Sequence, residues 1–197
     1  MKTVGIYLFD DVELLDFAGP YEVFTTCSRV ARRFGLPVPF ETLAIGSSRE
    51  AVTARAGLPM LPTQTFDDHP ALDVLLIPGG VVDAQLHDRR VIDWIARTSR
   101  ATPLTASVCT GALLLAEAGL LDGRPATTHW EDLGQLASDY PKVRVRTEGR
   151  WVDDDDIVTS AGIAAGIDMS LHIVARLCGL ELATRTARQM DYPWHPD

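Results

Sequence analysis

The stretch Leu104-Thr105-Ala106-Ser107-Val108-Cys109-Thr110-Gly111-Ala112-Leu113-Leu114-Leu115-Ala116 decides the fold. Its first residues read as a short buried strand, Gly111 as a tight turn, and the Ala/Leu run as the opening of a buried helix. Cys109 then stands at a strand-to-helix corner, over the carboxyl end of the strand. The first unpaired N–H groups of the helix lie beside its sulfur, and with the helix dipole they favour thiolate over thiol. A nucleophile is placed in this way in the Gly-x-Ser-x-Gly elbow, although Ser107 here takes the position of the first glycine. A cysteine within an apolar stretch also serves as a small core residue, and this segment alone leaves both readings open.

Working outward, Thr3 to Phe9 reads as an apolar strand that ends in the acidic turn Asp10-Asp11. Gly19 to Phe34 follows as a helix, Phe40 to Ile45 as a second strand, and Ala51 to Thr65 as an irregular hairpin broken by Gly57, Pro59 and Pro62. Asp73 to Ile77 is a continuous apolar strand closed by Pro78-Gly79-Gly80, and Val91 to Arg100 is helical. Lys142 to Arg146 and Arg150 to Val152 read as a hairpin ahead of the strand Ile157 to Ser160. Gly166 to Leu177 and Leu180 to Met190 close the chain as helices. Strands apolar throughout and alternating with helices predict an α/β fold, a parallel sheet covered on both faces. In such sheets the ligand crevice lies outside the carboxyl ends of the strands. Asp10 to Asp16, Gly79-Gly80 and Cys109-Thr110 all reach that edge, and their convergence favours the functional reading of Cys109.

The chain has 197 residues, 46% of them hydrophobic, which predicts one domain over 1–197 with a full core. A net charge of −9 argues against nucleic acid or an anionic membrane as partner. The basic clusters Arg29 to Arg33 and Arg144 to Arg150 read as solvated faces, as does the acidic turn Asp153 to Asp156. No apolar run is long enough to span a bilayer, and the chain enters a strand pattern directly from Met1. With three scattered cysteines and no disulfide framework, this predicts a cytoplasmic protein. Cys27 and Cys178 read as inert core residues. His69, His87 and His172 lack ligand spacing, so no metal site is predicted.

Five separated motifs then carry a resemblance. They are Leu15-Asp16-Phe17-Ala18-Gly19-Pro20 with Val23-Phe24; Ile77-Pro78-Gly79-Gly80; Val108-Cys109-Thr110-Gly111; Ala126-Thr127-Thr128-His129-Trp130; and Thr159-Ser160-Ala161-Gly162 leading to Gly166-Ile167-Asp168-Met169. In this order, from Val4 to about Met190, they resemble the ThiJ/PfpI superfamily of class I glutamine-amidotransferase-like proteins, and within it the isonitrile hydratase branch. The resemblance implies a flavodoxin-like, doubly wound sheet with a nucleophile elbow. It implies Cys109 as nucleophile, Asp16 as the carboxylate against its sulfur, and Thr110 in the position where protease-like members carry histidine. Threonine cannot titrate, which ranks hydration above amide hydrolysis. Gly79, Gly80 and His129 would bind or orient substrate. His129 is either a base near the elbow or a histidine that holds a loop, and Asp16 has a structural alternative as N-cap of the helix near Gly19-Pro20.

The resemblance implies a hydro-lyase acting on a small molecule, without metal or organic cofactor, as a homodimer with an apolar pocket beside Cys109. Three alternatives stand beside it: a sensing domain like those of AraC-type regulators, a protease or amidase, and a redox or glyoxal stress protein. The chain closes shortly after its last helix, which favours the enzyme over a regulator with its own DNA-reading units.

Overall fold

The computed structural model describes residues 1–195. A seven-stranded sheet runs through its centre, built from β1 (Lys2–Tyr7), β2 (Phe40–Gly46), β5 (Gln64–Thr65), β6 (Val74–Ile77), β7 (Leu104–Val108), β10 (Trp151–Asp154) and β11 (Ile157–Ser160). Their order across the sheet is β10-β11-β7-β6-β1-β2-β5. All neighbours are parallel except β10 and β11. Two short pairs lie outside it: β3 (Val52–Thr53) with β4 (Pro59–Met60), and β8 (Pro125–Ala126) with β9 (Arg144–Val145). The α/β fold and the mostly parallel sheet are those expected from the sequence.

Helices α1 (Leu14–Arg33), α6 (Ala165–Cys178) and α7 (Leu180–Gln189) pack together as one layer. α2 (Asp83–His87), α3 (Arg89–Ala101), α4 (Gly111–Glu117) and α5 (Leu133–Asp139) form the other. Central strands covered on both sides need apolar residues at every position, and Val74 to Ile77 are fully buried accordingly. Strand order reverses at β1, because the chain moves from β1 outward to β2 and then returns to β6 on the other side. Crevices form outside the carboxyl ends of strands at such a reversal.

Four readings are corrected. Helix α1 starts at Leu14 rather than near Gly19, so Pro20 lies inside it. Proline at the first helical position is the commoner sequence signal, but here it sits further in and denies the Asp16 carbonyl its usual helical donor. The hairpin is β10 with β11, not Lys142 to Arg146 with Arg150 to Val152; Arg144–Val145 pairs in parallel with Pro125–Ala126 instead. The acidic turn is not simply solvated. Asp153 accepts hydrogen bonds from His172 at 2.6 Å and Arg176 at 2.8 Å, while Arg124 binds Asp154 at 3.2 Å and Asp156 at 2.5 Å. Arg150 likewise leaves the solvated face to bind Asp168 at 2.6 Å.

The α6 layer approaches the elbow strand closely. A Cβ on Gly166 would lie 2.8 Å from Cγ1 of Val108, directly before Cys109, and a branched side chain held in a strand has little room to move. Gly166→Ala is expected to cost about 1–3 kcal/mol by overpacking, read as a fall of roughly 3–10 °C in Tm. An unchanged Tm would mean that this contact is not tight.

Candidate active site

Cys109 ends β7 with φ +56°, a left-handed backbone that a residue other than glycine adopts only when its surroundings impose it. Its N–H donates to the Ser160 carbonyl at 3.2 Å, and its own carbonyl accepts from the buried Thr128 hydroxyl at 2.7 Å. The turn after it needs Gly111, because a Cβ there would collide with the carbonyl oxygen of Ile77. The strand-to-helix corner expected from the sequence is therefore present, clamped from both sides.

Asp16 reaches the same point from the first turn of α1. It is fully buried, and its Oδ2 accepts the Gly79 N–H at 3.1 Å. Its side chain caps nothing: the N-cap of α1 is Glu13, so the capping alternative for Asp16 falls away. The Cys109 thiol lies against the Asp16 carboxyl. Apart from that thiol, Oδ1 has no hydrogen-bond partner among the described residues. Burial without enough donors raises the Asp16 pKa from its usual 3.8 to about 7, against the Gly79 N–H, which lowers it.

The strap Pro78-Gly79-Gly80 fixes this contact. Glu13 N–H donates to the Gly79 carbonyl at 2.9 Å and Val81 N–H to the Asp11 carbonyl at 3.0 Å. Thr110 closes it, its hydroxyl accepting the Gly80 N–H and donating to the Gly80 carbonyl, both at 2.9 Å. A Cβ on Gly79 would come within 2.5 Å of Thr110 Oγ1 and 2.9 Å of Asp16 Oδ2, so only glycine lets these side chains meet. The N–H groups of Gly79 and Gly80 are thus occupied by Asp16 and Thr110, while Gly80 itself lines the cavity beside Cys109. The N–H groups that face the sulfur belong to Thr110 and Ile163.

The sequence expectation of a resting thiolate is also corrected. Burial and the neighbouring Asp16 charge push the Cys109 thiol up to about 12, and the Thr110 and Ile163 N–H groups only partly oppose them. With the thiol so raised, the sulfur keeps its proton near neutral pH, while the Asp16 carboxyl beside it titrates there. Cys27 and Cys178 touch one another; Cys27 is fully buried, whereas Cys178 is partly exposed and its thiol is held below the usual range by the Cys27 hydrogen bond. The reading of both as inert core holds for Cys27 alone.

His129 lines the same cavity as Cys109, packed so tightly on Gly162 that a Cβ there would strike its ring. Its Nδ1 lies 3.3 Å from the Glu131 N–H and 3.4 Å from Asp132 Oδ2. No hydrogen bond joins it to Cys109 or Asp16 among the described residues. These are the contacts of a histidine that holds the loop after β8 while facing the cavity. The cavity measures about 290 Å³, enough for a small molecule. Its walls include Gly80, Val82, Leu86, Leu113 and Ile163, together with several charged side chains, and so are not the apolar pocket expected from the sequence.

Thr128 and Ile163 were not singled out by sequence reasoning, although both fall in or beside the quoted motifs. Glu13 lies in the Asp10 to Asp16 segment placed at that edge, whereas Arg55 and Asp132 on the cavity wall carried no signal, since charged residues on turns are normal surface.

A match to the DJ-1/PfpI family covers residues 2–176. The chain belongs to the DJ-1/PfpI family. Its relatives in that family differ in what they do. It is 35% identical over 192 residues to isonitrile hydratase of Pseudomonas putida, covering 96% of this chain and 78% of the relative. It is 29% identical over 191 residues to the HTH-type transcriptional regulator GbdR of Pseudomonas aeruginosa, covering 97% of this chain and 51% of the regulator. The chain thus spans about half the length of that regulator. Among solved structures, a ThiJ/PfpI family protein from Pseudomonas syringae superposes with a TM-score of 0.86 at 30% identity, covering 99% of this chain and 76% of the other. DJ-1beta of Drosophila melanogaster superposes at 0.83 with 20% identity, over 98% and 99% of the two chains, a likeness of fold. No helix among the described residues is long and apolar enough to cross a membrane.

Two consequences of the buried pair can be measured on Asp16→Asn. Burial, the larger cause that raises the thiol, stays in place, but the opposing carboxylate charge is gone, so iodoacetamide is expected to alkylate Cys109 faster at pH 8 than in the parent; slower alkylation would mean that Asp16 does not oppose the thiolate. Stability should respond with a definite sign. The folded Asp16 pKa of about 7 lies above the free value of 3.8, so the folded state binds more protons between them, and stability falls as pH rises through that window. Asp16→Asn is therefore expected to raise Tm at pH 8 by roughly 5 °C and to leave it near the parent value at pH 4. A lower Tm at pH 8 would show Asp16 to be a structural residue.

Proposed function

We propose that the protein is an isonitrile hydratase-type hydro-lyase that adds water to an isonitrile and releases an N-substituted formamide. The observation that carries this reading is the contact of the buried Cys109 thiol with the buried Asp16 carboxyl, in a chain 35% identical to an isonitrile hydratase across nearly its whole length. An isonitrile carbon accepts a nucleophile and a proton at the same atom, and the pair presents a thiol and a carboxylate at one point.

In the first step ionised Asp16 takes the Cys109 proton as sulfur bonds to the isonitrile carbon. The carboxyl then delivers that proton to the same carbon. The product is the thioimidate R–N=CH–S–Cys109, the net addition of S–H across one carbon. In the second step Asp16 takes a proton from water as its oxygen bonds to that carbon, and passes it to nitrogen. Collapse of the adduct breaks the C–S bond, and the hydroxyl proton returns through Asp16 to sulfur, leaving R–NH–CHO and the free thiol. The N–H groups of Thr110 and Ile163 steady the sulfur as its charge changes. Thr110 positions the Gly80 strap and with it Asp16. A nitrile places its substituent on the electrophilic carbon and needs its proton on nitrogen, one atom away, so the same pair does not serve it.

The expected result with cyclohexyl isonitrile is formamide formation, with kcat/KM rising through an apparent pKa near 7 as Asp16 ionises. Cys109→Ala should lower turnover on the order of 10³-fold or more, and Asp16→Asn on the order of 10²–10⁴-fold. The matching nitrile, amide and a short peptide should not turn over. Hydrolysis of the amide or peptide with the isonitrile untouched would replace this reading with a protease-like one. The reading carries with it a small-molecule substrate and a symmetric homodimer, and a monomer in sedimentation at micromolar concentration would remove the latter.

The regulator relatives favour a second reading, in which the same cavity binds a ligand without turning it over. Saturable ligand binding with no product, unchanged in Cys109→Ala, would support it.

A further inference from the structure

Four carboxylates line the cavity over Cys109: Glu13, Asp83, Glu131 and Asp132. One guanidinium, that of Arg55, stands against them, and it is 60% exposed and 3.6 Å from Glu13. Glu13 and Asp132 keep only 25% and 27% of their side-chain surface exposed, so their fields are less screened by water than that of Arg55. Even a protonated His129 leaves the carboxylates in excess. Behind the thiol, the buried Asp16 adds a further carboxyl whose Oδ1 no other donor satisfies. A concave site in which one sign of charge is in excess concentrates ligands of the other sign.

Resting on the proposed reading of Cys109 as the nucleophile, we propose that this cavity selects small molecules carrying a positive charge on the substituent, so that the preferred substrate is a cationic isonitrile. The isonitrile carbon meets Cys109, while the cationic end takes the mouth between Asp132, Glu13 and Asp83. Binding then does more than hold the substrate. The charges of Asp132 and Glu13 are among those that disfavour ionisation at Cys109 and Asp16, and a bound cation offsets both. An anionic substituent meets the reverse: repulsion at the mouth and a thiol still harder to ionise.

The test compares trimethylammonioethyl isonitrile with neohexyl isonitrile, its neutral isostere, and with isocyanopropanoate. The quaternary nitrogen keeps its charge at every pH, so shape and titration are held constant across the first pair. The expected order of kcat/KM is cation, neutral, anion, with the cation ahead of its isostere by about tenfold at low ionic strength and the gap narrowing as salt shortens the Debye length. The double variant Asp83→Asn, Asp132→Asn should shrink that ratio toward one. Equal rates for the isosteres, or a lead for the anion through Arg55, would overturn the charge selection while leaving the hydratase reading in place.

A second measurement needs no turnover. Cys109 is labelled with trimethylammonioethyl methanethiosulfonate and with sulfonatoethyl methanethiosulfonate, and the ratio of rates is compared with that for a free small thiol. A ratio about tenfold above the free-thiol value, lost in the double variant, supports the proposal even if no isonitrile is turned over; a ratio equal to the free-thiol value overturns it.

Discussion

The contact of a buried carboxyl with a buried thiol governs this site. Each group is placed to lose its charge: burial keeps the proton on the thiol, and raises the carboxyl so that it titrates near neutral pH. A cysteine at a helix start, facing backbone N–H groups, ordinarily gains acidity. Here burial outweighs the Thr110 and Ile163 N–H groups that face the sulfur, and Asp16 sits where its charge opposes the thiolate. The result is a nucleophile at rest that becomes reactive as its proton moves a short distance to a defined acceptor.

The rest of the fold serves to keep that contact. Cys109 and the Gly79-Gly80 strap come from the ends of β7 and β6, and Asp16 from the first turn of α1, the helix that follows the neighbouring strand β1. The strap is zipped to the segment after β1 by backbone hydrogen bonds, and Thr110 locks it to the elbow. The Thr128 hydroxyl and the close approach of Gly166 to Val108 hold the left-handed backbone of Cys109 from the other side. Glycine at 79, 111 and 166 marks the places where backbone and side chain must come nearer than a Cβ allows.

Much of this was legible in the residues. Val74 to Ile77 is apolar at every position, and Leu104 to Val108 carries only the small hydroxyl residues Thr105 and Ser107 between its apolar ones, which is the signature of a strand buried on both faces, and the elbow follows from the turn at Gly111. The start of α1 was misread because Pro20 marks a helix start more often than it sits inside one. The β10–β11 hairpin was misplaced because its turn is built of aspartates that look like solvent-facing charge, whereas Arg124, His172 and Arg176 arrive from distant parts of the chain to neutralise them. The protonation of Cys109 was misread for a similar reason. A helix start is visible in sequence, but the depth of burial and the distance to Asp16 belong to the tertiary structure. The acidic cavity was hidden because Glu13, Arg55, Asp83 and Asp132 lie far apart in the chain and meet only at the sheet edge.

The measurement that tests the account most directly is the titration of the Asp16 carboxyl itself, followed by its infrared carbonyl band or its carbon chemical shift, in the parent and in Cys109→Ala. An apparent pKa near 7 in the parent, shifted when the thiol is removed, is the result the buried pair requires. A carboxyl that stays ionised down to the usual carboxylate range near 4, indifferent to Cys109, would contradict it.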